Sequence, residues 1–346
     1  MKTIAVADAF LKEEYYRACF EKHPGYQLSQ VIHFGSPDRK SMRDPIHMIE
    51  RNGPDAVEPP EALYTAVEDA DVLMVHLCPV NRRVIERGKN LKVILLNRGG
   101  TENVDLKAAA EHNIAVLNNP AHNANSVAEL TIGLMLSETR NLARTHAALM
   151  QGVWQEHFSN QGRVYEIAGK TVGIIGFGNI GRRVARKLTV FDCTVLVYDK
   201  YVSPDHPDLA KYGCKFVDLD TLLGASDIIT LHVRSDELVL NRQALYNIKP
   251  GAYFINTARP HLIDNEAMVE LLRTGQVAGA AFDVFMQEPI QPDEPYIRLP
   301  NVTLSNHRGG DTVNCYSDSP SMLLNDADRY FAGEQPEFFA NQKWMP

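Results

Sequence analysis

The sequence lacks the features that mark several protein classes. No apolar run approaches the ~20 residues that span a bilayer, and the short N-terminal apolar run passes into charges, so no secretory signal is predicted. The 5 cysteines are dispersed without a CxxC pair, which is typical of reduced thiols rather than of disulfides or a zinc site. A net charge of −8 disfavours nucleic-acid and membrane surfaces. We therefore expect a cytoplasmic enzyme, and a small anionic substrate remains compatible with the net charge.

The length and the apolar pattern predict two domains, because 346 residues exceed what one core usually fills. Short apolar runs alternate with helical patterns over residues 3–117, and continuous apolar runs return over 171–317, as in buried parallel sheets. One long helix is predicted over 125–150, with Asn125 or Ser126 as its cap. Residues 36–60 predict a loop. The expected fold class is α/β, with two Rossmann-like doubly wound parallel sheets.

A phosphate-binding turn is predicted where a buried strand runs into a GxGxxG pattern and then an amphipathic helix. Gly176 allows the tight turn, Gly178 lets the backbone approach a pyrophosphate, and Gly181 lets the helix pack closely on the strand. The first helical turn, which contains Asn179 and Ile180, offers free N–H groups and partial positive charge to a phosphate.

The next apolar run ends in Asp199, 18 residues beyond Gly181. A carboxylate there accepts hydrogen bonds from both ribose hydroxyls and repels a 2′-phosphate, which favours NAD over NADP. The alternative is a simple cap at the end of the strand. Methyltransferases also carry glycine-rich loops, so these residues alone do not specify the reaction.

Polar residues follow three later apolar runs, at the sheet edge where such folds bind ligands. They are Arg259, Glu288 and His307. Histidine exchanges protons near neutral pH, a glutamate beside it holds the ring and stabilises the imidazolium, and arginine binds a carboxylate while polarising the adjacent carbonyl. Each residue alone is equally consistent with a surface, loop or structural role. Together, after a dinucleotide cradle, they predict hydride transfer with no metal required.

In these motifs the chain resembles the D-isomer-specific 2-hydroxyacid dehydrogenases, and D-3-phosphoglycerate dehydrogenase-like members in particular. The resemblance covers nearly the whole chain and is carried by Leu91–Asp105 (LKVILLNRGGTENVD), Ser126–Glu129, Gly176–Gly181, Ile255–Arg259, Asp283–Pro289 and His307–Gly310.

The resemblance implies roles for individual residues. The Arg…Glu…His series of the family falls on Arg259, Glu288 and His307. Residues expected on the nicotinamide side are Thr257, Ala258 and Asp283. Backbone N–H groups near Gly99 and Gly100 are expected to bind the substrate carboxylate.

The resemblance also implies an organisation. Residues 1–122 with 318–346 would form the substrate domain, and residues 123–317 the inserted NAD-binding domain. A homodimer through the region 124–168 is expected. No regulatory C-terminal domain is expected.

Several positions depart from the family pattern or stay open. Pro260 stands where the family usually has glycine, Asn306 where it has proline, and Arg308 where an apolar residue is common. Arg98 is either a ligand for a second anionic group of the substrate or a solvated loop arginine. His76 is either structural or part of the cleft.

We therefore expect reversible, NAD-dependent oxidation of a D-2-hydroxy acid to a 2-oxo acid. The alternative from another class is an NAD(H)-sensing binding or corepressor-like module without significant turnover. Formate or phosphite oxidation is less favoured, because related formate dehydrogenases tend to carry glutamine at the position of Glu288.

Overall fold

The computed structural model describes residues 1–345 and divides into two compact units. Unit 1 consists of Met1–Asn123 and Thr312–Pro346, and unit 2 of Ala124–Asp311. The second boundary differs from the expected residue 317, because the short helix at 313–317 belongs to unit 1.

The first segment of unit 1 builds a five-stranded parallel sheet. Its strands are β1 (Lys2–Ala7), β2 (Gln27–His33), β3 (Val72–Val75), β4 (Val93–Leu96) and β5 (Ala115–Asn118), in the order β2-β1-β3-β4-β5. Its helices are α1 (Glu13–Phe20), α2 (Arg43–Asn52), α3 (Glu61–Ala66), α4 (Arg82–Arg87) and α5 (Leu106–Glu111). Alternate residues along β3 and β4 join two different hydrophobic clusters, so this sheet is covered on both faces.

Two elements of this segment differ from the expectations. β2 is an edge strand whose side chains are mostly exposed, so it lacks the apolar run that would have predicted it. Residues 36–60 are not only loop, because α2 lies within them and buries Ile49.

Unit 2 builds a seven-stranded parallel sheet in the order β12-β11-β10-β9-β6-β7-β8. Its strands are β6 (Thr171–Ile175), β7 (Thr194–Tyr198), β8 (Lys215–Phe216), β9 (Ile228–Leu231), β10 (Ala252–Asn256), β11 (Val277–Phe282) and β12 (Val302–Leu304). Its helices are α6 (Ala124–Thr139), α7 (Leu142–Met150), α8 (Asn179–Leu188), α9 (Pro207–Lys211), α10 (Leu219–Ala225), α11 (Arg242–Tyr246) and α12 (Asn265–Thr274).

The single long helix expected over 125–150 is wrong in two respects. Asn141 adopts the left-handed conformation (φ 58°) and separates α6 from α7. The helix also begins at Ala124, so Asn125 and Ser126 lie inside its first turn rather than capping it. Asparagine tolerates the left-handed region better than most residues, which makes this position a suitable break.

The chain then returns to unit 1 through α13 (Val313–Ser317) and α14 (Ser319–Phe331). Leu323, Leu324 and Ala327 of α14 join the same hydrophobic cluster as β1, β3 and β4. Among residues 1–345, no helix has the length and apolar character needed to cross a membrane.

Candidate active site

The sequence-predicted polar residues of unit 2 follow neighbouring strands at one edge of the sheet. Arg259, Glu288 and His307 follow β10, β11 and β12, which are adjacent and parallel. Gly176 and Asp199 follow β6 and β7, which are also adjacent. β6 is flanked by β7 on one side and β9 on the other, so the strand order reverses there, and such switch points bind ligands in doubly wound sheets.

The glycine turn after β6 has the geometry of a phosphate cradle. Gly176 adopts φ 96°, and a Cβ there would lie 2.7 Å from the carbonyl of His232. A Cβ on Gly181 would lie 2.0 Å from the carbonyl oxygen of Gly176, whereas one on Gly178 would meet nothing within 4 Å. α8 starts after Gly178 with no side-chain cap and no acid in its first turn. A helix start without a side-chain cap or an acid can offer its N–H groups to an anion, which fits the pyrophosphate of a dinucleotide.

Asp199 braces this turn from the neighbouring strand end. One carboxylate oxygen accepts from the Phe177 N–H at 2.7 Å, and the other accepts from the Tyr201 and Val202 N–H groups at 2.7 and 3.0 Å. The capping role that the sequence left as an alternative is therefore present. A carboxylate has room for further donors beyond these three, so capping does not preclude an additional role towards a ribose.

The structure brings His307 and Glu288 together. His307 Nδ1 lies 2.7 Å from Glu288 Oε2, and the other oxygen of Glu288 accepts from the Phe285 N–H at 3.0 Å. Because an ionised carboxylate only accepts, the Nδ1 atom carries the proton of this bond, which leaves Nε2 to exchange a proton elsewhere. The side chains are 48% and 36% exposed, so the pair is open to a ligand.

The backbone around His307 is held in an uncommon conformation. His307 has φ 55°, a left-handed value that costs free energy for a residue other than glycine. Buried Asp283 secures the next turn by accepting from the N–H groups of Arg308 and Gly309, both at 2.9 Å. Arg308 also pairs with Asp311 at 2.7 Å. Asp283, predicted on the nicotinamide side, thus positions the chain that carries His307.

Arg259 is exposed and is placed by Asn256, a fully buried residue at the end of β10. The Asn256 side chain donates to the Arg259 carbonyl at 3.0 Å and accepts from the Ala258 N–H at 2.9 Å. The guanidinium donates to the Ala258 carbonyl at 2.7 Å. Within residues 1–345 it forms no ion pair, so its charge remains available to an anion.

Pro260 is accommodated without a break in the loop. Residues Pro260–Leu262 form a single 3₁₀ turn in which the fixed φ of proline suits the first position. The following His261 contacts the Ser235 carbonyl at 2.8 Å. With proline at this position, the backbone of Arg259 is extended.

Comparison with known proteins identifies the family. A sequence model described as "D-isomer specific 2-hydroxyacid dehydrogenase, NAD binding domain" matches residues 132–309. Hydroxypyruvate reductase of Thermotoga maritima is 39% identical over 259 residues, which are 73% of this chain and 82% of that protein. The chain belongs to the D-isomer-specific 2-hydroxyacid dehydrogenase family. It is an NAD-dependent oxidoreductase of D-2-hydroxy acids, and the comparisons do not support the NAD(H)-sensing alternative.

Other members differ in how much of their length is matched. Glyoxylate reductase of Thermofilum pendens is 33% identical over 82% of this chain and 85% of its own length. D-3-phosphoglycerate dehydrogenase of Methanocaldococcus jannaschii is 35% identical over 83% of this chain, which spans only 54% of that protein. This chain therefore spans about half the length of that phosphoglycerate dehydrogenase.

Solved structures confirm the predicted fold class. The TT0316 protein from Thermus thermophilus superposes with a TM-score of 0.66 at 27% identity, over 98% of this chain and 100% of that chain. D-2-hydroxyisocaproate dehydrogenase superposes with a TM-score of 0.70 at 24% identity, which bears on the fold alone.

The residues expected to bind substrate in unit 1 lie directly after β4. Gly99 and Gly100 form a tight loop, since a Cβ on Gly99 would lie 3.0 Å from Pro120 Cα. The Asn118 side chain donates to the Gly99 carbonyl at 2.8 Å. Arg98 pairs with Glu50 at 2.9 Å and with Glu102 at 3.6 Å. It is therefore not a solvated loop arginine.

His76 follows β3 in the same unit and is buried. Its Nδ1 lies 2.9 Å from Asp8 Oδ2, and Asp8 itself follows β1. Burial acts to raise the pKa of Asp8, but the charge and hydrogen bond of His76 outweigh it and lower that pKa overall. This pair gives His76 a definite structural role.

The sequence did not predict the α6 residues that hydrogen-bond to the strand ends carrying the site. In unit 2, Thr131 of α6 shares a 2.9 Å hydrogen bond with Thr257, which fixes the end of β10. Glu138, fully buried in the same helix, pairs with Arg144 and accepts from Thr303 of β12 at 2.6 Å. Burial raises the pKa of Glu138 despite the nearby Arg144. A glutamate within an apolar helical pattern was the available signal.

Proposed function

We propose that His307 exchanges the proton of the C2 hydroxyl while a hydride moves between C2 and the nicotinamide. The 2.7 Å pair between His307 Nδ1 and Glu288 carries this proposal, because it leaves Nε2 as the exchanging atom. When Nε2 takes the hydroxyl proton the ring becomes cationic, and the carboxylate of Glu288 stabilises that charge. In the reverse direction the same cation returns its proton to the oxygen of the 2-oxo acid.

Arg259 is proposed to orient the substrate. Its guanidinium is a planar donor that matches a carboxylate in a bidentate manner, and its charge polarises the neighbouring carbonyl. Asn256 holds the backbone of this residue on both sides, so the side chain extends from a fixed turn. Proximity of this kind lowers the entropy cost of reaching the reactive geometry.

The cofactor end is proposed to use the cradle of unit 2. Gly176, Gly178 and Gly181 shape the turn, and the first turn of α8, with Asn179 and Ile180, directs N–H groups at the pyrophosphate. Asp199 binds the ribose, while Thr257, Ala258 and Asp283 lie on the nicotinamide side. Bound NAD supplies the hydride acceptor, or the donor when it is reduced.

We assign the cofactor role to unit 2 and part of substrate recognition to unit 1. In unit 1, the N–H groups of Gly99 and Gly100 are proposed to bind the substrate carboxylate. The close approach of the Pro120 backbone to Gly99 supports this assignment, because a Cβ there would lie 3.0 Å from Pro120 Cα.

Turnover of 2-oxo acids with NADH tests this function directly. We expect oxidation of NADH with one or more of glyoxylate, hydroxypyruvate and pyruvate, and a D-configured product wherever C2 becomes chiral. Arg259→Lys should raise KM for the 2-oxo acid more than it raises the Kd for NADH. A purified, NADH-binding protein that reduces none of a broad panel of 2-oxo acids, or that makes the L-isomer, would contradict the proposal.

A homodimer through residues 124–168 is also proposed. α7 buries none of its side chains, and its last residue, Met150, is 75% exposed. Trp154, in the segment after α7, is 79% exposed. An apolar patch of this kind favours a protein contact. Light scattering should give the dimer mass, and Trp154→Ser should shift the equilibrium towards monomer. A monomeric wild-type protein at micromolar concentration would argue against the dimer.

A cytoplasmic location is proposed on the strength of the thiols. All five cysteines are free, and the three buried ones, Cys19, Cys78 and Cys315, all lie in unit 1. Free thiols of this number suit a reducing compartment. Fractionation of cells of the source organism tests the location.

A further inference from the structure

Arg98 stands beside the loop proposed to bind the substrate carboxylate, and its charge is already neutralised. Its guanidinium lies 2.9 Å from Glu50 Oε1 and 3.6 Å from Glu102 Oε2, and only 15% of its side chain is exposed. One carboxylate comes from the last turn of α2, and the other from the loop after β4. Two separate elements thus supply acids to one arginine.

Glu102 also lies close against the carboxylate-binding loop. A Cβ on Gly100 would come within 2.3 Å of Glu102 Oε2, so this carboxylate occupies the space next to the loop. Glu50 also contacts His47 Nδ1 at 3.7 Å through its other oxygen. The cluster that faces Arg98 thus holds two carboxylates for one guanidinium, which leaves it with an excess of acidic groups. A second anion on the substrate would have to lie beside these carboxylates or displace one of them.

Other basic groups at this edge of unit 1 are neutral or already engaged. Burial lowers the pKa of His122 to about 4, with further lowering by the charges of His76 and Arg98, so His122 is uncharged at pH 7. His76 is paired with Asp8 at 2.9 Å. Arg39 lies over two aromatic rings, 4.9 and 5.3 Å from their centres.

We infer that this enzyme selects 2-oxo acids that carry a single negative charge, such as glyoxylate or hydroxypyruvate, over phosphorylated or dicarboxylic ones. Arg98 is then a positioning residue: it ties α2 and the Glu102 loop to the end of β4. Glu50 and Glu102 act as specificity determinants through repulsion of a second anion. This inference rests on the proposed function and narrows its substrate class.

The comparison of hydroxypyruvate with 3-phosphohydroxypyruvate tests the inference, because the two differ by one phosphate. For the wild-type enzyme with NADH we expect kcat/KM to be at least about tenfold higher with hydroxypyruvate. The difference should lie mainly in KM, since the phosphate affects binding rather than the reacting carbon.

The double variant Glu50→Gln/Glu102→Gln tests the cause. It removes both negative charges, leaves Arg98 uncompensated, and should move the kcat/KM ratio by about tenfold or more towards the phosphorylated substrate. Glu68→Gln is the matched control, because Glu68 also pairs with an arginine, Arg87, at 2.9 Å. Glu68 precedes β3 and so lies at the amino ends of the strands, whereas Arg98 follows the carboxyl end of β4. The control variant should leave the ratio unchanged.

The outcomes separate the inference from the function beneath it. Wild-type turnover that favours 3-phosphohydroxypyruvate overturns the inference while supporting the dehydrogenase function. A ratio that the double variant does not move also overturns it. Should the double variant fail to fold, the wild-type ratio alone decides. Absence of turnover with every 2-oxo acid would overturn the proposed function, and this inference with it.

Discussion

Replacing Gly178 and Gly181 one at a time by alanine should separate cofactor binding from folding. Both glycines belong to the same turn, but the structure gives them different surroundings. A methyl group on Gly181 would lie 2.0 Å from the Gly176 carbonyl oxygen and 3.0 Å from its carbon, which are backbone atoms that cannot rotate away. A methyl group on Gly178 would meet nothing within 4 Å, and its φ of −78° and ψ of −154° suit alanine.

The magnitudes follow from these contacts. Overpacking costs about 1–3 kcal/mol, and a clash with backbone atoms takes the upper part of that range. Alanine recovers up to about 1 kcal/mol of helix propensity at Gly181, so a net loss of about 1–2 kcal/mol is expected. At about 2–4 °C per kcal/mol, Gly181→Ala should lower Tm by several degrees. Gly178→Ala should leave stability within about 0.5 kcal/mol. Its methyl group enters the space offered to the pyrophosphate, so the Kd for NADH should rise about tenfold or more, which equals roughly 1.4 kcal/mol.

Thermal unfolding without ligand and NADH titration by fluorescence are the two assays. The expected pattern is a lowered Tm for Gly181→Ala, and a normal Tm with weakened NADH binding for Gly178→Ala. If Gly178→Ala bound NADH with wild-type affinity, the cradle assignment would be refuted. If Gly181→Ala were as stable as wild type, the contact argument would be refuted.

Three further predictions concern other parts of unit 2. Arg144→Met leaves the buried carboxylate of Glu138 without its ion-pair partner and should lower the free energy of unfolding by about 3–5 kcal/mol at pH 7. Because the pKa of Glu138 is raised in the folded state, stability falls as pH rises from 4.5 through that raised value. The loss caused by the substitution, measured by urea unfolding, should therefore shrink towards pH 5. The double variant Arg144→Met/Glu138→Gln should recover much of the lost free energy of unfolding. A loss in Arg144→Met that does not change with pH would contradict this account. Asp199→Asn removes the charge that repels a 2′-phosphate, so kcat/KM for NADPH relative to NADH should rise about tenfold, and an unchanged ratio would restrict Asp199 to its capping role. Glu288→Gln keeps a hydrogen-bond acceptor for His307 but removes the negative charge, so kcat should fall about tenfold or more with NADH affinity retained; an undiminished kcat would remove Glu288 from the proposed set.

The sequence predicts the strands that are buried on both faces, because burial requires a continuous run of apolar residues. β6, β9, β10 and β11 are buried on both faces and read as apolar runs. β2 is an exposed edge strand without an apolar run, so nothing in the sequence indicated that it pairs with β1. The break at Asn141 between α6 and α7 also left no clear signal, because asparagine occurs within helices as well as at their ends.

For the candidate site, the sequence predicted the three strand-end residues but not the contacts that support them. Parallel strands place Arg259, Glu288 and His307 at one edge, so their order along the chain and the family resemblance sufficed to name them. The supporting contacts were not predictable, because they join residues far apart in sequence. The Thr131–Thr257 and Glu138–Thr303 hydrogen bonds depend on how α6 packs on the sheet. The neutralisation of Arg98 likewise depends on where α2 comes to lie.

The acid–base role of His307 is the central claim, and His307→Asn tests it most directly. Single-turnover reduction of a 2-oxo acid by bound NADH should slow by about 10²–10⁴-fold, while the Kd for NADH stays within about threefold of wild type. His112→Asn is the control, since His112 is exposed at the end of α5 and its ring contacts the Ala108 carbonyl of that helix. A reduction rate within about tenfold of wild type in His307→Asn would contradict the account.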